Sequence, residues 1–188
     1  MVRHELLPSV GACYAVPMVR GSPNPRHLGL PARLRKARKQ SELTHLALAK
    51  KAGVSEATAL YVQKGQQLPT VGTIARLASA LSVSAAWLAF GLGDMDREGP
   101  AATCEDMGAR LQEVRVERGH TKASLGRDAD LNPGTIGGIE NGGQAGVETI
   151  EALAKTLNIS PAWLAFATGP RVLPKRHRVT KPPEPAHP

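Results

Sequence analysis

The stretch Gly53-Val54-Ser55-Glu56-Ala57-Thr58-Ala59-Leu60-Tyr61-Val62-Gln63-Lys64-Gly65 decides the fold. Gly53 can take the left-handed backbone conformation that a Cβ resists, so a helix can end there and the chain can turn. Ser55 is a strong N-cap, because its hydroxyl can accept from a free amide in the next first turn. Val54 is an apolar plug between two helices. With Val54, only Ala59 and Val62 supply an inward face, and Gly65 is the stop. Glu56, Ala57, Leu60, Tyr61 and Lys64 remain outside. A short helix entered by a tight turn, with its first turn exposed, has the dimensions of a major-groove reader.

Helical patterning extends to both sides of this turn. Upstream, Pro31 suits a first helical turn, and Leu34 and Ala37 face inward among Arg33, Arg35, Lys36, Arg38 and Lys39. Thr44 caps a second helix with Leu48 and Ala49 inside. Downstream of Gln66-Gln67-Leu68-Pro69, Thr70 caps a fourth helix whose Ile74, Leu77, Ala78 and Leu81 form an i, i+3, i+4, i+7 stripe. Ser84 caps a short fifth helix carrying Trp87 and Leu88, which Gly91 and Gly93 end. The two tryptophans, Trp87 and Trp163, read as core or interface anchors of the fifth helix of their copies.

The whole pattern then recurs. Ala32-Arg33-Leu34 matches Ala109-Arg110-Leu111, and Arg38, Thr44, Leu48, Thr58 and Gly65 match Arg115, Thr121, Leu125, Thr135 and Gly142, all 77 positions on. From Ile74 and Ile150 onward the offset is 76, through Leu77/Leu153, Leu81/Leu157, Trp87/Trp163, Phe90/Phe166 and Gly93/Gly169. One residue deleted in the loop after the third helix explains the step. The expected fold is therefore all-α, with two tandem five-helix domains at residues 30–93 and 107–169. An acidic linker, 94–106, joins them, and a proline-interrupted tail, 1–29, precedes them. A basic, proline-rich tail, 170–188, follows; its composition predicts disorder, and it either adds nonspecific phosphate contacts or is simply solvated.

Bulk composition narrows the function. The chain has 188 residues, a formal net charge of +8 and only 3% aromatics, a balance that suits a polyanionic partner, most often nucleic acid. Cys13 and Cys104 lack partners at metal-binding spacing and read as incidental thiols in a reducing cytosol. No apolar run reaches the roughly 18 residues of a membrane span, and Pro8, Gly11 and Pro17 break any signal-peptide pattern. The abundance of Ala, Arg, Gly and Pro suits a GC-rich bacterial genome. Phosphate-loop, nucleophile-elbow and metal-cluster motifs are missing, so neither catalysis nor a cofactor is expected.

Five short helices with a helix-turn-helix at positions two and three resemble the DNA-binding domains of lambdoid phage repressors and Cro proteins, the wider Xre family. In the first copy Leu34, Arg38, Thr44, Leu48-Ala49, Gly53-Val54-Ser55, Gly65, Pro69, Leu77-Ala78-Ser79-Ala80-Leu81 and Trp87-Leu88 carry the resemblance. In the second, Arg115, Thr121, Leu125, Thr135-Ile136, Ile139-Glu140-Asn141-Gly142, Leu153-Ala154, Leu157 and Ser160-Pro161-Ala162-Trp163-Leu164 do so. The resemblance implies a sequence-specific regulator of double-stranded DNA, located in the cytoplasm at the nucleoid. It implies phosphate contacts from His45 and Lys64 in the first copy and from Lys122 and Asn141 in the second, with the capping residues Thr44 and Ser55 beside the backbone. Base edges would be read by Glu56, Ala57 and Tyr61, and at the matching positions of the second copy by Pro133, Gly134 and Gly138. A buried Arg–Glu pair found in many family members is implied for Arg115 and Glu140; in the first copy Arg38 faces Gln63, which leaves Arg38 either to reach phosphate or to pack.

The copies differ in ways that bear on role. Residues 30–93 hold nine basic against two acidic side chains, a net +7; residues 107–169 hold six against seven, a net −1. Phosphate neutralisation dominates affinity for DNA, so the first copy is expected to supply most of it. The second, with Asp128 and Asp130 beside its turn and no reaching side chain at Pro133, Gly134 or Gly138, is expected to position, dimerise or recruit. The charge asymmetry favours a homodimer that sets two first copies on two half-sites. Both copies of one chain on one duplex is the geometric alternative, since a 13-residue linker spans up to about 43 Å at roughly 3.3 Å per residue. A protein-binding module, antitoxin-like or anti-regulator, gripping a partner through the second copy, is the rival function.

Overall fold

The computed structural model describes residues 29–96 and 102–172. Cys13, most of both tails and the middle of the linker lie outside the described residues. Ten helices are present among those described: α1 Leu30–Gln40, α2 His45–Ala52, α3 Glu56–Lys64, α4 Val71–Leu81 and α5 Ala85–Phe90, then α6 Met107–Glu117, α7 Lys122–Ala129, α8 Pro133–Glu140, α9 Val147–Thr156 and α10 Pro161–Phe166. Isolated bridges apart, no strand forms among the described residues.

Local chemistry sets most of these boundaries. Thr44, Ser55, Thr70 and Ser84 each accept from the amide three residues on and start α2 to α5. Thr121, Asn132 and Ser160 cap α7, α8 and α10, and Thr121 forms a reciprocal capping box with Ser124. The turn between α2 and α3 is made at Gly53, φ +63°, and α3 stops at Gly65, φ +71°. At the turn of the second copy, Asp130 takes the same left-handed conformation, φ +54°, which a short polar side chain tolerates.

The same contacts close each copy. α1 packs on α3 and α5, α2 on α3 and α4, and α4 on α5; α6 to α10 repeat this set. The core of the first copy is Leu30, Leu34, Leu48, Ile74, Leu77 and Leu88, with Ala59 and Val62 from α3. Leu111, Leu125, Ile136, Ile139, Ile150, Leu153 and Leu164 fill the second. Trp87 and Trp163 are only half-buried, each flanked by a cation, Lys36 at 6.0 Å and Arg171 at 5.2 Å from the ring centre. Both tryptophans pack against the core from its edge, and the more deeply buried aromatics of the fifth helices are Phe90 and Phe166, with ring centres 6.1 Å apart.

That ring pair belongs to a junction between the copies. α5 packs on α10. The Val71 amide donates to the Ala145 carbonyl at 2.9 Å, and the Val147 amide to the Pro69 carbonyl at 3.1 Å. Residues 71 and 147, 69 and 145, and 90 and 166 are each 76 apart, the offset of the repeat, so every contact has its counterpart in the other copy. Thr70 and Gly146, also equivalent, form the antiparallel bridge between the two hydrogen bonds. One further contact lacks a counterpart: Glu151, buried on α9, favours the charge of Arg33 on α1, which burial works against. The described ends of the linker lie on the folded parts. Met95 accepts from the Ser84 amide at 2.9 Å, and Cys104 is half-buried, which pushes its thiol pKa up.

Two glycines of the second copy separate packing from propensity. A Cβ on Gly126, where α7 approaches α8, would lie 2.7 Å from the Leu131 carbonyl oxygen, whereas one on Gly138 would meet open space. Gly126→Ala should cost about 1–3 kcal/mol through backbone displacement. Gly138→Ala should add about 1 kcal/mol by restoring helix propensity. Urea unfolding of the two variants should therefore move the midpoint in opposite directions.

Candidate nucleic-acid interface

The first-copy surface is organised by α3. Its buried side carries Ala59, Val62 and Gln63; Glu56, Ala57, Tyr61 and Lys64 are exposed, and Leu60 is half-buried. The Ser55 hydroxyl accepts from the Thr58 amide at 3.1 Å and lies 2.8 Å from the Thr58 hydroxyl, so the first turn is held in place while Glu56 and Ala57 stay outside. Arg76 on α4 donates to the Gly53 carbonyl at 3.3 Å and braces the turn from behind. Its counterpart in the second copy is Ala152, so that brace exists once.

The expected phosphate contacts fall into two groups. Lys64 is exposed at the last turn of α3, Thr44 and Ser55 are exposed caps, and Asn141 is exposed at the C-cap of α8. Arg38, His45 and Lys122 are differently placed. Arg38 is half-buried, donating Nε to Gln63 Oε1 at 2.8 Å and Nη1 to the Leu43 carbonyl at 2.6 Å, so it joins α1 to α3 rather than standing out toward a backbone. The His45 Nε2 is buried and has no hydrogen-bond partner. Lys122 reaches inward to Glu140 at 3.3 Å.

The second copy holds the corresponding tie as a charged triad. Arg115 Nε lies 2.6 Å from Glu140 Oε1, its Nη2 lies 3.2 Å from Oε2, and its Nη1 donates to the His120 carbonyl. Side-chain exposure is 10% for Arg115 and 3% for Glu140. Burial alone would raise the Glu140 pKa; hydrogen bonds from Arg115 and Lys122 outweigh it and hold the carboxyl below its ordinary range. Around this fixed point the outward side of α8 offers Pro133, Gly134, Thr135 and Gly138, none with a long side chain. Asp128 lies 3.5 Å from His120, and Asp130 sits at the turn, so acidic groups stand beside the second helix-turn-helix.

Sequence reasoning passed over Leu46 and Leu68. They are 61% and 44% exposed, at the start of α2 and in the loop after α3, and with Tyr61 they give the first copy apolar contact area. A signal was available for Leu46, which stands two residues before the buried pair Leu48-Ala49 and so off the inward face of its helix. Among the described residues no group of three His, Cys, Asp or Glu side chains could hold a metal ion, and no helix is long and apolar enough to cross a membrane.

A family model described as helix-turn-helix matches the chain twice, over residues 34–88 and 111–164, each match running from α1 or α6 to α5 or α10. No curated protein and no solved structure matches the chain significantly.

The depressed Glu140 carboxyl makes the second copy acid-sensitive. Its stabilisation is fully present above the ordinary glutamate pKa of about 4.3 and is lost as pH falls through the lower folded value. Glu140→Gln, which copies the neutral Arg38–Gln63 pair, should be less stable than wild type at pH 7, and the gap should close below about pH 4. Arg115→Ala leaves the carboxylate buried without its main partner and should cost about 3–5 kcal/mol at neutral pH. Thermal melts between pH 7 and pH 3 measure both.

Proposed function

Since the chain belongs to the Xre-like helix-turn-helix family through both of its copies, we propose that it is a sequence-specific, double-stranded DNA-binding transcriptional regulator with α3 in the major groove. The observation that carries this reading is the exposed row Glu56, Ala57, Tyr61 and Lys64 on a capped, braced helix within a copy of net charge +7. In the groove Glu56 can accept from a cytosine amino group, Ala57 can meet a thymine methyl, and Tyr61 can offer its ring or hydroxyl. Lys64 at the helix end supplies a point charge to a phosphate, and Thr44 and Ser55 bring the capped starts of α2 and α3 to the backbone. Arg38 and His45 leave this set for the packing reasons given above. The protein acts by binding, without catalysis or cofactor, in the cytoplasm.

The second copy contributes less to affinity, since its net charge is −1 and Lys122 is drawn toward Glu140. A second reading draws on the same observation: the short-side-chain face of α8 and the acidic groups around it suit a protein partner. That reading takes first place if a stoichiometric partner co-purifies and no duplex is enriched at modest salt. A homodimer between chains would need a surface other than the one the two copies already bury against each other.

Selection from a random duplex library with the full chain should enrich a short motif. On that motif Glu56→Ala should alter preference at one base position by about 1–3 kcal/mol. Lys64→Ala should weaken all sequences alike and reduce the slope of log affinity against log salt by about 1. If both variants lower affinity uniformly, Glu56 is not a reader.

A further inference from the structure

The backbone hydrogen bonds and the ring contact of the junction are reciprocal to the residue. Two backbone hydrogen bonds exchange equivalent groups across the Thr70–Gly146 bridge, and the equivalent rings Phe90 and Phe166 meet beside it. Contacts of that kind arise only when a two-fold rotation interchanges the partners. In a homodimer the partners are separate chains; here both belong to one chain. The surface that makes this two-fold contact is thus occupied within the chain.

We propose that a single chain is the complete two-headed DNA-binding unit: its built-in pseudo-two-fold holds α3 and α8 against successive major-groove segments of one asymmetric site, α3 reading bases and α8 docking on the backbone alone. This rests on the DNA-binding reading above. Chain geometry bounds the separation of the two heads. Each recognition helix ends six residues before its bridge residue, Lys64 before Thr70 and Glu140 before Gly146. Six residues reach at most about 20 Å, so with about 5 Å across the bridge the two helix ends are at most about 45 Å apart. One turn of DNA, about 34 Å, lies within that bound.

The two heads are not equals. α3 presents Glu56, Ala57, Tyr61 and Lys64; α8 presents Pro133, Gly134, Thr135 and Gly138, followed by Asn141. A Cβ on Gly138 would meet nothing within 4 Å, so DNA backbone can approach α8 closely there. The site should therefore have one half with strict base preference and one half defined only by distance and groove geometry, rather than a palindrome. Rigid coupling carries a consequence that a loose tether does not: the spacing between the halves is fixed.

The test uses the full chain, the selected duplex and the double variant Thr70→Cys/Gly146→Cys in a chain whose native thiols are removed by Cys13→Ser and Cys104→Ala, since Cys104 lines the same cavity as Thr70. The bridge pair lies between its two hydrogen bonds, where Cα atoms sit about 4.5 Å apart, a separation a disulfide spans. Mild oxidation should give an intrachain crosslink, and the locked chain should bind the selected duplex within about 2-fold of its reduced form. Native mass measurement should find one chain per duplex, with two protected segments about 10 base pairs apart. After 5 or 10 base pairs are inserted between the segments, the second protected segment should still lie about 10 base pairs from the first, now over the inserted sequence, because α8 reads no bases. Failure of the crosslink to form overturns the junction itself. A crosslink that forms but abolishes binding, reversibly on reduction, overturns the junction as the DNA-bound form; two chains per site, or protection that follows the original second segment to its displaced position, overturns the single rigid unit with a backbone-docking second head. A crosslink that forms in a protein that binds no duplex in either state overturns the DNA-binding reading and with it the proposed site, while the junction stands.

Discussion

The contact on which the architecture depends is the exchange of backbone hydrogen bonds between residues 69–71 and 145–147, backed by Phe90 against Phe166. Two hydrogen bonds contribute only about 1 kcal/mol each net. The two nearly buried rings add apolar contact, part of their burial coming from their own copy and part from the other. The hydrogen bonds set the register, because a slip of one residue would leave amides at the start of α4 and α9 without acceptors. A short linker supplies an effective concentration in the millimolar range, so about 4 kcal/mol closes the two copies half of the time and each further 1.4 kcal/mol or so favours the closed form about tenfold more. The same surface between separate chains at micromolar concentration would be mostly open.

Each copy solves the same packing problem with different chemistry. α8 carries Gly134, Gly137 and Gly138, which together cost about 3 kcal/mol of helix propensity against alanine. Burial of Ile136 and Ile139 at about 1.5–3 kcal/mol each offsets that cost, and the Arg115–Glu140 pair fixes the helix against α6. α3 has no glycine within it and a stronger intrinsic tendency, and a neutral tie from Arg38 to Gln63 accompanies it. The consequence for function follows from where the charge goes. In the second copy Arg115 is buried against Glu140 and the partly exposed Lys122 also leans on it, whereas the position of Lys64, exposed at the end of α3, is held there by the uncharged Asn141.

Much of this was legible because the determinants are local. Capping hydroxyls at Thr44, Ser55, Thr70, Ser84, Thr121 and Ser160, the left-handed glycines at 53 and 65, and the apolar stripe of α4 act within a few residues, so their spacing alone marks where helices start and stop. The outward row Glu56, Ala57, Tyr61 and Lys64 follows from the same periodicity. Side chains whose direction depends on a neighbouring element were less readable. The sequence leaves Arg38 open between phosphate and packing, and the structure binds it to Gln63 and the Leu43 carbonyl; His45, expected at phosphate, has its Nε2 buried. Trp87 and Trp163, the largest apolar residues of the fifth helices, sit at the flank, and the smaller Phe90 and Phe166 occupy the junction.

The sequence by itself determined ten helices in two copies of one motif and an excess of positive charge in the first. Those properties depend on composition, on propensity and on contacts a few residues apart. Only the tertiary structure decided that the copies face each other across a pseudo-two-fold, because the junction is made by backbone groups and by equivalent residues 76 positions apart. A backbone amide donates whatever its side chain is, so the pairing of Val71 with Ala145 and of Val147 with Pro69 leaves no mark in the residue types.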